Sequence, residues 1–424
     1  MLGRIKAILK ASSKSLMFTY FIIIMIILLP NAIVMPSQSF KSQIITAIGV
    51  DGTKNEIEMS VLALSNLSKD NMSETTKVIS GKGDTVANAV FSIERQVGRS
   101  LKMGHVGYIV LSKSLTDNDI TKILNNLIIT TKLPNTISLV ICEDSAKSVL
   151  DSASKLEKTS SYKFREMIQN EYNEDFAQET SLDAFLKGYY SPNSSSSLGY
   201  VSLTKNELLG VEVDNSSGEE MDTLQDNSND EQTTGSQNEN KQNNVIEYSN
   251  RQSVFKNGIF RYILSNEETE GLNFIVENNL QKLITIDNIN SQGLIDGKIT
   301  FDIISEKLTV STSINNNKPQ ILYNISLKLK VMEVITKNEN KIAEGRLVID
   351  DEISDKINQY VKQKISALVT KIKQEKTDIA NIYNYFESEN YSKLMSFLNT
   401  LRDKDDYLSY VQVKVNVKSK LSTN

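Results

Sequence analysis

Val106-Gly107-Tyr108-Ile109-Val110-Leu111 and Thr136-Ile137-Ser138-Leu139-Val140-Ile141-Cys142 are the stretches on which the fold of this chain turns. Both are compact apolar runs of strand length. Between them Thr116 or Asp117 can cap a helix whose stripe is Ile120, Ile123, Leu124, Leu127 and Ile128. Upstream, Lys77 to Ser80 predicts a short strand, Gly81-Lys82-Gly83 a loop, and Asp84 or Thr85 a second helix cap. Val86, Ala89, Val90, Ile93 and Val97 then keep helical spacing, and downstream Ser145 opens another helix. Strand, helix, strand, helix, strand predicts right-handed crossovers and a mostly parallel sheet segment.

Ahead of this segment, Ile44 to Val50 and the alternating Ile57, Met59 and Val61 flank the turn pair Asp51-Gly52, a hairpin signal. Gly81-Lys82-Gly83 before a helix start raises phosphate binding. The P-loop spacing and GxGxxG are both missing, so a plain βα turn is the better account. His105, between Gly104 and Val106, has no ligand-type neighbour and reads as a packing or turn residue. Cys142 ends an apolar strand and reads as a buried, inert thiol. Residues 151–210 are mixed, with weak helical patterning at Tyr162 to Ile168 and a Ser-rich loop at Ser191 to Ser197. From Asp214 to Asn244 the chain turns polar, with eight acids and one Lys. So little apolar surface cannot offset an ordering entropy of roughly 1–2 kcal/mol per residue, which predicts a disordered acidic linker.

A second ordered region opens with Ser253 to Lys256, Asn257-Gly258 and Ile259 to Leu264, another hairpin signal. Ser265 or Asn266 caps a short helix bearing Glu267, Glu268 and Glu270. Strand-like runs follow at Lys282 to Ile286, Lys298 to Ile304, Lys307 to Ile314 and Gln320 to Val334, read as an antiparallel meander. Asp350 to about Glu387 reads as one long helix with Ile353, Ile357, Val361, Ile365, Leu368 and Ile372 on its buried side. A further helix spans Ser392 to Leu401, and Val411, Val413, Val415 and Val417 alternate with polar residues in a closing strand that returns to the meander.

At the N-terminus, Arg4, Lys6, Lys10 and Lys14 precede Leu16 to Met35, a run with no charged residue. It reaches the roughly 20 residues that a membrane-spanning helix needs, and the flanking cations place the N-terminus in the cytoplasm. A cleaved signal shares the pattern; an uncleaved anchor is favoured, and either way the body is exported. The 424 residues carry 47 Lys+Arg against 52 Asp+Glu, a net charge of −5 that does not mark a nucleic-acid binder. One His, one Cys and no Trp exclude a disulfide framework, a Cys-based zinc site and a CxxC pair.

The expected architecture is a multi-domain α+β and α/β chain with a single N-terminal transmembrane helix. An N-terminal mixed sheet contains the βαβαβ segment, and a C-terminal antiparallel sheet is covered by a long helix. The expected divisions are an anchor or signal segment at 1–37, N-terminal α/β structure at 40–213, the polar linker at 214–250 and a C-terminal α+β domain at 251–424. The residues assign no catalytic, cofactor-binding or metal site.

Ala47-Ile48-Gly49-Val50-Asp51-Gly52, and later Phe255-Lys256-Asn257-Gly258 with Leu264-Ser265-x-x-Glu268-Thr269-x-Gly271, resemble the C subunits of spore germinant receptors, the Ger(x)C family. His105 opening a strand, and Gln374 and Asp378 late in the long helix, also look like the family pattern. The resemblance spans most of Ile44 to Ser419 outside the polar insert. It implies a protein on the outer face of the spore inner membrane, beside integral A and B subunits, needed for nutrient germination and without enzymatic activity. It names no small-molecule ligand. Family members carry a lipobox Cys after the apolar segment; this chain has none there, so the Leu16 to Met35 helix becomes the anchor.

Three functions are compatible with this sequence. A non-catalytic receptor subunit acting through protein contacts fits the anchor and the missing reactive groups. An exported solute-binding protein draws on the ligand crevices of α/β sheets. A hydrolase would need the acid clusters Glu267/Glu268/Glu270 or Asp350/Asp351/Glu352, which helix-dipole complementarity explains more simply.

Overall fold

The computed structural model describes residues 20, 42–53, 56–64, 76–116, 119–134, 136–156, 180–205, 244–276, 283–291, 294–337 and 348–422. The apolar N-terminal run apart from Tyr20, the Tyr162 to Ile168 patterning and all but the last residue of the Asp214 to Asn244 insert lie outside them. Among the described residues no helix is long and apolar enough to cross a membrane.

The first half contains β1 (Ser42–Gly52), β2 (Ile57–Leu64), β3 (Thr76–Gly83), α1 (Val86–Val97), β4 (Ser100–Lys102), β5 (Tyr108–Ser112), α2 (Ile120–Thr131), β6 (Ser138–Cys142) and α3 (Ala146–Leu156). It continues with β7 (Thr180–Ser181), α4 (Leu182–Tyr190), β8 (Ser195–Lys205), β9 (Asn244–Lys256) and β10 (Ile259–Ile263). One sheet runs in the order β10-β9-β8-β6-β5-β1-β2-β3. Its centre, β8-β6-β5-β1, is parallel, and antiparallel strands flank it on both sides. The predicted crossovers are present, but β1 and β2 intervene between β3 and β5. Both faces are covered: α1, α2 and α4 bury Ala89, Leu124 and Phe185 on one, and α3 buries Val149 and Leu150 on the other. That double burial explains why β5 and β6 are buried throughout and apolar apart from Ser112 and Ser138.

Local signals set several boundaries. Thr85 caps α1 through Asn88 N, whereas α2 takes Asp119 as its cap in place of the expected Thr116 or Asp117. Gly81 and Gly83 are the end of β3 and not a loop. A Cβ on Gly81 would stand 2.7 Å from Ala89 O, and one on Gly83 2.6 Å from Ala89 N. Those glycines let α1 lie against the strand, which is a packing role and leaves the phosphate reading without support. The expected Ser-rich loop ends at Ser194; Ser195 to Ser197 already belong to β8.

The second half contains α5 (Asn266–Asn273), β11 (Leu283–Ile289), β12 (Gly297–Asn315), β13 (Lys318–Ile335), α6 (Asp351–Glu375), α7 (Ile382–Leu398), α8 (Tyr407–Tyr410) and β14 (Gln412–Leu421). Its sheet has the order β11-β12-β13-β14. The first three strands are the expected meander, but β14 runs parallel to β13, so the sheet is mixed and not antiparallel. Two intervening long helices make a crossover, and a crossover returns a strand parallel. The two runs Lys298 to Ile304 and Lys307 to Ile314 are one strand, carried through a register shift between Ile303 and Ser305. The hairpin at Asn257-Gly258 forms, both residues at positive φ, yet it pairs with β8 of the first sheet. The stripe Ile353 to Ile372 of α6 is buried against the second sheet as expected.

Candidate functional site

The predicted long helix does not run to Glu387. Lys376 adopts φ 55° and stops α6, and Thr377-Asp378 then turns inward, both residues buried. Asn381 precedes α7 at φ 55° without offering a side-chain cap. Asp378 does that work instead: its carboxylate accepts from Ile382 N at 2.9 Å and Tyr383 N at 2.7 Å. An acceptor anion at a helix N-terminus satisfies orphan amides and meets the positive end of the dipole.

The same carboxylate accepts from Tyr407 Oη ahead of β14, and from Asn193 Nδ2 of the first half at 3.3 Å. Asp378 N donates to Ser195 Oγ at 3.1 Å. Around this node, Lys256 Nζ donates to Lys376 O at 2.8 Å and pairs with Asp405 at 3.3 Å. Tyr262 Oη lies 2.6 Å from Thr377 Oγ1. Residues from α4–β8, from the β9–β10 hairpin and from both ends of α7 thus converge on six residues after α6. Burial pushes the Asp378 carboxyl above the usual carboxylate range, against the pull of its donors. Burial and the neighbouring Asp378 push the Tyr407 hydroxyl well up.

Beside the node lies a cleft of about 340 Å³, lined by Phe185, Lys187, Ser191, Ser197, Asn381 and Asn384 among others. The Ser195 hydroxyl accepts from Asp378 N and donates to Asn193 O, so it is occupied within the joint. Among the described residues no group of three or more His, Cys, Asp and Glu is placed to hold a metal ion. The arrangement fastens two sheets together.

The other residues singled out in the sequence are dispersed. His105 is exposed in the turn closed by Val106 N to Met103 O. Cys142 is buried, its thiol raised chiefly by burial. Ser265 and Glu268 form a reciprocal capping box on α5. Glu267 accepts from Gln363 Nε2 at 3.0 Å, while Glu270 accepts from Tyr360 Oη at 2.8 Å and pairs with Lys364 at 3.0 Å, so these acids seat α5 on α6. Asp350 caps α6, Asp351 follows in its first turn, and Glu352 accepts from Asn290 N. Of Gln374 and Asp378, the first is exposed and only the second enters the node. Asn193, Ser195 and Tyr407 carry no sequence signal, since each finds its partner more than 25 residues away; Lys256 stands in the stretch that carries the resemblance, but its partner Lys376 is equally remote.

Two family models match the chain: "Spore germination protein N-terminal domain" over residues 41–203 and "Spore germination B3/ GerAC like, C-terminal" over residues 250–424. The fold is similar to the crystal structure of the GerBC protein at 13% identity and a TM-score of 0.50, covering 89% of this chain and 97% of that one. No curated protein matches the sequence.

Proposed function

The chain belongs to the GerAC family of spore germination proteins, and from that premise we propose that it is the C subunit of a germinant receptor. It is tethered by the Leu16 to Met35 segment to the outer face of the spore inner membrane, its N-terminus in the cytoplasm. Its work is done by contacts with integral A and B subunits and not by catalysis. The observation that carries the reading is the pair of family models laid end to end across both sheet-bearing halves. The polar junction supports it, because a body whose halves are locked by buried hydrogen bonds presents its outer surfaces in fixed relation. Disrupting the gene in the producing organism should abolish the nutrient-triggered fall in spore turbidity while spores still form. The A and B subunits should also be recovered with a tagged copy of the chain. Unchanged nutrient germination in the disrupted strain would overturn the proposal.

A further inference from the structure

Among the described residues the second sheet has one face under α6 and α7 and one without a helix. From Ser305 to Ser313 of β12, and across the residues of β13 and β14 in register with them, no outward position is buried. Over that stretch the face carries Lys307, Lys328, Lys414, Lys418 and Lys420 and no aspartate or glutamate; beyond the register shift it continues to Lys330 opposite Asp302. At about 4.8 Å between strands and 3.3 Å per residue, it measures roughly 10 by 27 Å. No ion pair ties any of the five lysines to a carboxylate among the described residues. A chain of net charge −5 has therefore gathered unopposed positive charge on one flat face.

We propose that this face docks on an anionic lipid surface. Protein interfaces concentrate aromatic and apolar anchors and are depleted of lysine, whereas this face offers Leu322 as its one large apolar side chain. Spread lysines without a pocket suit attraction to a charged headgroup layer, which needs no fixed partner geometry. The inference rests on the membrane-attached reading above, and the chain's own path favours a bilayer. Register through β5, β6 and β8 places Ser42 at the same end of the first sheet as Ser195, the end that meets Asp378. The chain therefore enters the first sheet at the end that faces the second half. The acidic insert leaves from Lys205 and returns at Asn244, at the opposite end of that sheet.

The test reconstitutes the full chain into vesicles of phosphatidylcholine alone or mixed equally with phosphatidylglycerol, and follows lysine acylation by mass spectrometry. Modification of Lys414, Lys418 and Lys420 should slow by at least about fivefold in the anionic vesicles. It should recover at about 0.5 M salt, where screening is short-ranged, while exposed Lys122 of α2 changes little. Replacing Lys414, Lys418 and Lys420 together by Gln should abolish the slowing at Lys307. Equal rates in both vesicles, with the chain retained, would overturn this inference and leave the receptor reading intact. Loss of the chain from both vesicle types would instead overturn the anchor and this surface with it. Protection independent of lipid but lost on deleting residues 214–243 would make the acidic insert the occupant and refute the bilayer.

Discussion

Glu306 is the residue whose behaviour most directly tests the energetics of the second sheet. It lies on β12 opposite Leu327, in the row that continues to Ser419 of β14, and the next residue on its own face is Leu308. Both carboxylate oxygens are buried without a hydrogen-bond partner among the described residues. Burial alone pushes its pKa from 4.5 to about 8. A carboxyl raised on folding makes the native state bind more protons than the unfolded chain, so stability falls as pH rises between those two values. Each unit is worth about 1.4 kcal/mol. From about pH 5 to about pH 8 the loss is at most ~3.5 kcal/mol, near the upper end because no described cation offsets the charge. Glu306→Gln keeps the shape and cannot titrate. Urea unfolding of the two proteins at intervals across that range should show the variant gaining on the parent by up to that amount as pH rises. Glu306→Leu should exceed both at the alkaline end. Stability curves for parent and Glu306→Gln that stay parallel would refute the assignment of an unpaired buried carboxyl.

Gly271→Ala should cost about 1–3 kcal/mol, the usual penalty of overpacking, because its Cβ would meet Lys364 O and stand 2.7 Å from Lys364 C. Gly104→Ala, with nothing within 4 Å of its Cβ, should stay within about 0.5 kcal/mol, and thermal melts of the pair check the contrast. Asp378→Ala removes the acceptor for Ile382 N, Tyr383 N, Asn193 and Tyr407, and should cost about 3 kcal/mol or more. Hydrogen exchange should then quicken in the first turn of α7 and at the Tyr407 segment together.

What the sequence disclosed was local chemistry. Asn257-Gly258 made its turn, Ser265 capped its helix and Ile353 to Ile372 formed their buried stripe, because each needs only a few neighbouring residues. The hairpin signalled at Asp51-Gly52 formed as well, but both residues are the paired end of β1 and the turn closes beyond them, from Thr53 N to Glu56 O. Pairing partners were another matter. The Asn257-Gly258 hairpin looks the same wherever it docks, and its place beside β8 depends on strands more than 50 residues earlier. The register shift that joins the two halves of β12 leaves Ile304 exposed and so mimics a strand end. The stop after α6 lacks a glycine or proline; Lys376 and Asn381 take positive φ in their place. Such a conformation is uncommon outside glycine. Here Asp378 stands between the two, and its partners Asn193, Ser195 and Tyr407 hold it from outside the local sequence. The junction was visible only through the resemblance, at Lys256 and Asp378.

The stretches that resemble the receptor family are the seats on which the parts of the body rest. Asp51 accepts from Ala146 N at 2.7 Å and Lys147 N at 2.9 Å, anchoring α3, and a Cβ on Gly49 would stand 3.0 Å from Leu150 Cδ1 of that helix. In the second stretch Leu264 N bonds Gln252 O, Ser265 and Glu268 cap α5, buried Thr269 Oγ1 bonds Ser265 O, and Gly271 admits the backbone of α6. Asp378 then binds α7, Tyr407 and the first sheet. Each of these groups holds two pieces of backbone in register. Placed along internal seams, these groups set how the outer surfaces of the two halves stand to one another.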